Sequence, residues 1–329
     1  MRWHKWILSF TRAFLLKDRP MACSVEPTLR CNLRCPGCYE RRRRERMLRL
    51  GRHELSLEQF EQLCLFLRDG LGIEHCTITG GGEPLLEPRK VELAVEIFDM
   101  PWLVTNGTLE IPDFGDKMPT LFVSLDGPPE MHDAYRGRGT FQRMRRVLRS
   151  SPMEFWVTCT LNRLNRHHIE QTVKTAIELG ASGIAFDWLT VATPDAWKWW
   201  VPHKERLRDL RTIEALRTKY EGEIVVGPST EELLLLCRPL SREECLIRRL
   251  VVCVDPYGQV KHPCIFGDQE DRRYPVCETC GCHVEGGLEL IFRYLRPWKS
   301  HMWAVGARQI MRKHPWFFLR GSAQVARHR

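Results

Sequence analysis

The stretch Cys31-Asn-Leu-Arg-Cys35-Pro-Gly-Cys38 follows the apolar run Ala22–Glu26, which reads as a β-strand, and sets three cysteines on one short loop at CxxxCxxC spacing. Three thiolates so placed can ligate three irons of a cubane and leave the fourth iron to another ligand. Structural zinc sites and electron-transfer clusters are normally closed by four protein ligands, which makes them the poorer account of this triplet. A second signal, Gly80-Gly81-Gly82-Glu83-Pro84, stands at the end of the next expected strand, about fifty residues on. Glycines let a backbone approach a ligand closely, and a carboxylate there can accept hydrogen bonds from an ammonium group.

Working outward, short apolar runs alternate with amphipathic stretches from Met21 to Trp188, which is the pattern of repeated β-α units and a parallel sheet. The expected strands are Ala22–Glu26, Cys76–Thr79, Leu103–Thr105, Leu121–Leu125, Phe155–Thr160 and Ile184–Trp188, too few to close an eight-stranded barrel. Apolar spacing near 3.6 predicts helices over Leu57–Leu67, with Ser56 as N-cap, and over Val91–Phe98, Phe141–Leu148 and Ile169–Leu179. Beyond Trp188 the pattern changes to a charged helix over His203–Tyr220, a short strand over Glu223–Val226, and a region Cys237–Cys282 that is dense in cysteine.

With the cysteine triplet and the glycine-glutamate segment in this order, the sequence resembles the radical S-adenosylmethionine (SAM) superfamily over roughly residues 20–190. The resemblance implies an α/β fold, a partial (β/α)6 TIM-like barrel with chemistry at the carboxyl ends of its strands. It implies that Cys31, Cys35 and Cys38 hold a catalytic [4Fe–4S] cluster that cleaves SAM to a 5′-deoxyadenosyl radical, and that Gly81, Gly82 and Glu83 receive the methionyl amine. Polar residues at later strand ends are then candidates for SAM contact: Asn106, Ser124, Asp126, Arg136, Thr160 and Asn162. The position before the third cysteine, often aromatic in the superfamily, is Gly37 here, so Tyr39 becomes the candidate for the adenine.

Cys245, Cys253, Cys264, Cys277, Cys280 and Cys282 resemble the auxiliary-cluster extensions known as SPASM or twitch, with Cys253–Cys264 similar to their opening hairpin. Four of the six would hold a second [4Fe–4S] cluster or zinc, and Cys264 with Cys277, Cys280 and Cys282 is the favoured set. The expected organisation is an amphipathic basic helix over 1–20, the barrel over 21–230, the cysteine-rich extension over 231–287 and a basic aromatic helical tail over 288–329.

The formal net charge of +9, from 50 Lys and Arg against 41 Asp and Glu, is basic without being polycationic, and no nucleic-acid partner is expected. Fourteen cysteines at metal-ligand spacing in a long chain indicate a reducing compartment, and no run approaches the roughly 20 apolar residues needed to cross a bilayer. A cytoplasmic location is expected, with peripheral membrane contact suggested by Trp3, Trp6, Ile7, Phe10 and Phe14 at helical spacing among basic residues. Within the superfamily the chain is similar to hopanoid-biosynthesis proteins, through Glu26–Leu33, Leu125-Asp126-Gly127, Cys159-Thr160-Leu161 and the C-terminal CxxC. That likeness implies radical addition to, or hydrogen abstraction from, a lipid-like isoprenoid, in transferase or oxidoreductase chemistry fed by a reductant such as flavodoxin or ferredoxin. Two other readings stand beside it: a SPASM-type peptide-modifying enzyme, and a non-catalytic Fe–S or zinc protein that binds nucleic acid.

Overall fold

The computed structural model describes residues 20–117, 119–267, 273–294 and 300. The helix expected over 1–20 and most of the tail beyond 288 lie outside these residues, apart from residue 20 itself. In chain order the elements that position the site are β1 (Ala22–Val25), α1 (Arg41–Arg49), α2 (Leu57–Leu65), β2 (His75–Ile78), α3 (Pro88–Ile97), β3 (Met100–Thr105) and β4 (Thr120–Ser124). There follow α4 (Pro129–Arg136), α5 (Thr140–Ser150), β5 (Phe155–Leu161), α6 (Ile169–Glu178), β6 (Gly183–Trp188) and α7 (His203–Lys219). The last are β7 (Val225–Gly227), α8 (Thr230–Leu235), α9 (Ile247–Leu250), β8 (Val251–Val254) and α10 (His283–Leu288).

The strands form one sheet in the order β7-β6-β5-β4-β3-β2-β1-β8, and every pairing between them is parallel. The six strands of the expected β-α alternation are therefore the centre of a parallel α/β arc of eight, and the short strand expected over Glu223–Val226 is its edge strand β7. The eighth strand comes from the cysteine-rich region: Val251–Val254 returns to the free edge of β1, pairing Ala22 with Val251 and Val25 with Val254. The extension thus completes the sheet.

Alternation along the strands gives each face its own chemistry. Leu103, Leu121, Val123, Phe155, Val157 and Ile184 turn outward into the main core, where the helices meet them through stripes such as Val91, Ala94 and Val95 or Phe141, Met144 and Leu148. Helix α2 begins at the expected Ser56, whose hydroxyl accepts from Gln59 N–H while the Gln59 side chain accepts from Ser56 N–H. On the inner face Trp102, Phe122 and Trp156 fill the amino-terminal half of the arc. Ser124 pairs in register with Thr158, and Thr160 with Asp187, which leaves polar side chains at the carboxyl ends. No described helix is long and apolar enough to cross a membrane.

Helix α4 carries His132 into the interior, where its Nδ1 accepts from Asp126 N–H at 3.4 Å and the ring stands edge-on to Phe141. Burial, with repulsion from Arg136, lowers its pKa to about 4. The unfolded imidazole binds a proton below about 6.5, so the fold loses stability as pH falls from 6.5 to 4, by on the order of 3 kcal/mol from this residue. The melting temperature of the wild type should fall more steeply over that interval than that of His132→Asn, whose amide oxygen can still accept from Asp126 N–H.

Candidate active site

The segment after β1 is fastened before its first cysteine. Glu54 accepts from Thr28 Oγ1 at 3.0 Å and from Leu29 N–H at 2.7 Å, while Thr28 O and Arg30 O accept from Gly82 N–H and Glu83 N–H at 2.9 and 2.7 Å. A Cβ on Gly82 would lie 1.8 Å from Arg30 O, so the close approach that requires glycine here is to the chain itself. Asn32 closes the other side: it accepts from Asn106 Nδ2 at 2.9 Å and donates to Thr108 Oγ1 at 2.8 Å, binding the cysteine loop to the end of β3.

Glu83 is buried beneath this loop. Its carboxylate accepts from Thr105 Oγ1 at 2.6 Å, Asn106 N–H at 2.8 Å and Leu85 N–H at 3.2 Å. Burial raises its pKa against those three bonds, and three acceptances leave about one lone-pair site of the usual four for a further donor. Asn106, bonded to Asn32 and Thr108, is turned into the protein. So is Asn162, whose side chain accepts from Leu164 N–H and donates to Thr160 O. Asn165, which no sequence signal singled out, bridges Thr160 O to Asp126 O.

Asp126 and Arg136 form the charged pair of the site, with Arg136 Nε 2.5 Å from Asp126 Oδ2. Asp126 is fully buried, and its Oδ1 has no hydrogen-bond partner among the described residues. Burial pushes the Cys35 thiol up to about 11, and the Arg136 guanidinium pulls it down. Cys31 is likewise raised by burial and lowered by Leu33 N–H and by Arg44. Among the described residues no three His, Cys, Asp or Glu side chains already converge tightly enough to hold a metal ion. The donor set nevertheless fits a cubane: three soft sulfurs on one loop, close enough that Cys38 and Cys31 each perturb Cys35, beside an unpaired carboxylate oxygen and a guanidinium.

Tyr39 is turned toward the extension, donating to Gly80 O at 3.1 Å, edge-on to Phe266 at 5.0 Å and under Lys261. Beside Gly37 lies Tyr135 of α4: a Cβ at residue 37 would stand 2.1 Å from its hydroxyl. Tyr135 in turn packs edge-on against Trp199, so the small residue in the loop is matched to an aromatic supplied from another element.

Below the loop a buried network joins three parts of the chain. Lys261 Nζ lies 2.7 Å from Glu26 and 2.5 Å from Glu40, while Arg43 reaches Glu26, Glu40 and Asp255 at 3.5, 3.2 and 2.5 Å. Asp255 also accepts from Tyr257 N–H and Gln259 N–H, shaping the turn at Pro256-Tyr257-Gly258 in the hairpin expected over Cys253–Cys264. The arginine run Arg41–Arg44 thus sends Arg43 into the interior.

The later cysteines divide into two groups. Cys245, Cys264, Cys280 and Cys282 share one apolar cluster with Leu240, Ile247, Leu250 and Leu288. Cys253 lies outside that apolar cluster, its thiol raised to about 12 by burial and lowered by Lys261. Cys277, part of the set favoured by spacing, lies outside the cluster, its thiol near Pro275 O and engaged by Arg242. Cys245 joins the cluster because a backbone fold, invisible to spacing, carries residues 245–247 onto Glu285 of α10. Arg206, with no exposed surface, braces the same loop by donating to Thr279 O, Cys280 O, Leu236 O and Val201 O. Trp200 adds a bond from Nε1 to Thr279 O, which gives one tryptophan of the Trp197–Trp200 stretch a bracing role.

Comparison with known proteins places residues 25–184 on the family model of the radical SAM superfamily. The chain is 29% identical over 184 residues to the antilisterial bacteriocin subtilosin biosynthesis protein AlbA of Bacillus subtilis, a match covering 52% of this chain and 40% of that relative's length. The fold is similar to that of Streptococcus suis SuiB bound to its precursor peptide SuiA, with a TM-score of 0.58 at 13% identity over 89% of this chain and 69% of that one. It is also similar to anSMEcpe with bound AdoMet and the Kp18Cys peptide, with a TM-score of 0.57 at 17% identity over 84% of this chain and 82% of that one.

Two outcomes follow from this geometry. Lys261→Met strips Glu26 and Glu40 of a buried partner and should lower the unfolding free energy by about 3–5 kcal/mol in urea denaturation. After anaerobic reconstitution, Cys245→Ala and Cys280→Ala should each lose the metal of the second site, while Cys253→Ala and Cys277→Ala keep it, as read by metal analysis.

Proposed function

We infer that this chain, a member of the radical SAM superfamily through residues 25–184, is an enzyme that uses SAM and a [4Fe–4S] cluster to modify a peptide. The observation that carries the enzyme reading is the cysteine loop hydrogen-bonded to the Gly81-Gly82-Glu83 segment at the carboxyl end of a parallel sheet, with Asp126 and Arg136 alongside. When bound, the cluster supplies one electron for cleavage of SAM to a 5′-deoxyadenosyl radical.

The chain's own residues bind and orient. Cys31, Cys35 and Cys38 hold the cluster, and Arg136 favours the thiolate of Cys35. Glu83 offers its remaining lone pair to the methionyl amine, with Gly81 and Gly82 holding the carboxylate in place. Asp126 Oδ1 is a buried acceptor that costs stability until a donor reaches it, and a ribose hydroxyl fits that need. The N–H groups of Arg136 not bonded to Asp126 are suited to a carboxylate. Tyr135 and Trp199 wall the loop and help exclude water, which protects a primary radical from competing donors. Cys245, Cys264, Cys280 and Cys282 hold a second Fe–S cluster in an apolar wrapping.

The peptide assignment is supported by the relatives: one is named for bacteriocin biosynthesis, and the two structures carry peptides in their descriptions. The isoprenoid reading rests on the hopanoid likeness, to which these relatives lend no support. A one-electron protein donor such as a flavodoxin or ferredoxin completes the proposed reaction.

Anaerobic reconstitution with iron and sulfide, then dithionite and SAM, should yield 5′-deoxyadenosine in the wild type and none in the Cys31→Ala, Cys35→Ala, Cys38→Ala triple variant. Asp126→Asn should weaken SAM binding about tenfold in equilibrium dialysis, the size of one charge-assisted hydrogen bond. Incubation with candidate precursor peptides should give a peptide mass change in step with 5′-deoxyadenosine. Turnover of isoprenoids in detergent with peptides inert would reverse the substrate assignment.

A further inference from the structure

We propose that Arg44 sets the reduction potential of the cluster bound by Cys31, Cys35 and Cys38, by holding an un-neutralised guanidinium between the cysteine loop and Gly81. The inference rests on the cluster assignment above and adds a positioning residue that lies outside both sequence motifs.

Four arginines stand in a row at the start of α1, and three of them are ion-paired. Arg41 and Arg42 meet Asp195 at 3.3 and 3.0 Å, and Arg43 is enclosed by Glu26, Glu40 and Asp255. Arg44 has no carboxylate partner among the described residues. Its Nη2 donates to Gly81 O at 3.1 Å and lies 3.9 Å from Cys38 Sγ. Its Nε is buried with no acceptor among the described residues.

Position and charge state together give the consequence. Reduction adds one electron from an external donor, dithionite in vitro, and neither makes nor breaks a bond. The reduced cluster with its thiolates is one unit more negative, so a fixed cation in a partly desolvated setting stabilises it more than the oxidised form. Charge and hydrogen bonds at cluster sulfurs are established determinants of potential. Arg44 is tethered at both ends, by its helical N–H to Glu40 O at 2.8 Å and by its side chain to Gly81 O, so the charge cannot swing away into solvent.

The test is an EPR-monitored redox titration of reconstituted wild type, Arg44→Gln and Arg44→Lys, following the signal that changes shape when SAM is added, which separates this cluster from a second one. Arg44→Gln should keep wild-type iron content and the SAM-responsive signal. Its reduced-to-oxidised ratio at a fixed potential should fall about tenfold, a midpoint about 59 mV more negative for a one-electron couple. Arg44→Lys, which keeps the charge without the planar fork, should recover part of the shift. An unchanged midpoint in fully loaded Arg44→Gln overturns the proposal. So does loss of the cluster from both variants with wild-type circular dichroism, which makes Arg44 an assembly residue. A wild type that takes up no iron through Cys31, Cys35 and Cys38 overturns the cluster assignment itself, and this proposal with it.

Discussion

Glu26, Glu40, Arg43, Asp255 and Lys261 form a knot of five charges, each almost wholly out of water, drawn from the end of β1, the residues after Cys38, helix α1 and the β8 hairpin. Charges are tolerated at such depth only when they face partners of opposite sign with the remaining polar atoms bonded. The knot therefore constrains all four segments at once. The loop that carries the cysteines cannot shift without uncovering Glu40, and the extension cannot leave the sheet edge without exposing Lys261. The strand that completes the arc and the loop that carries Cys31, Cys35 and Cys38 are held by the same ion pairs.

A second regularity runs through the sites. Burial alone pushes thiols away from ionisation, and it is the first cause of the raised values at Cys31, Cys35, Cys253 and Cys280. Each of these thiols also has a cation aimed at it: Arg44 at Cys31, Arg136 at Cys35, Lys261 at Cys253 and Arg206 at Cys280. Soft metals bind thiolates, so at Cys31, Cys35 and Cys280 a cation near the sulfur would lessen the electrostatic cost of a ligand set that carries net negative charge. Arg206 is the extreme case, a guanidinium without exposed surface that donates to four backbone carbonyls, one of them belonging to Cys280.

The inner face of the sheet divides the labour along its strands. Trp102, Phe122 and Trp156 seal the amino-terminal end with a few large, stiff rings, which leaves polar chemistry to the carboxyl ends. There Asp126 keeps one oxygen unpaired although most polar groups around it, from Thr105 to Asn165, are bonded to one another. A surrounding this well satisfied makes the remaining acceptor a place of specific demand.

Local pattern was enough for the β-α alternation, the Ser56 cap and the grouping of Cys31, Cys35 and Cys38, because each depends on residues near in sequence whose propensity and spacing act before the chain is folded. The carboxyl-end placement of Glu83 and Asp126 was legible for the same reason, since each ends an apolar run. The membership of β8 in the sheet, the packing of Cys245 beside Cys264, Cys280 and Cys282, the burial of Arg43 and the pairing of Gly37 with Tyr135 were not. These are contacts between segments from 17 to more than 200 residues apart, and an arginine in a run of four reads the same whether it meets water or Glu26. Burial supplies the difference: it turns an ordinary charge into one that must find a partner, and the partner's identity is fixed by the packing of the whole chain.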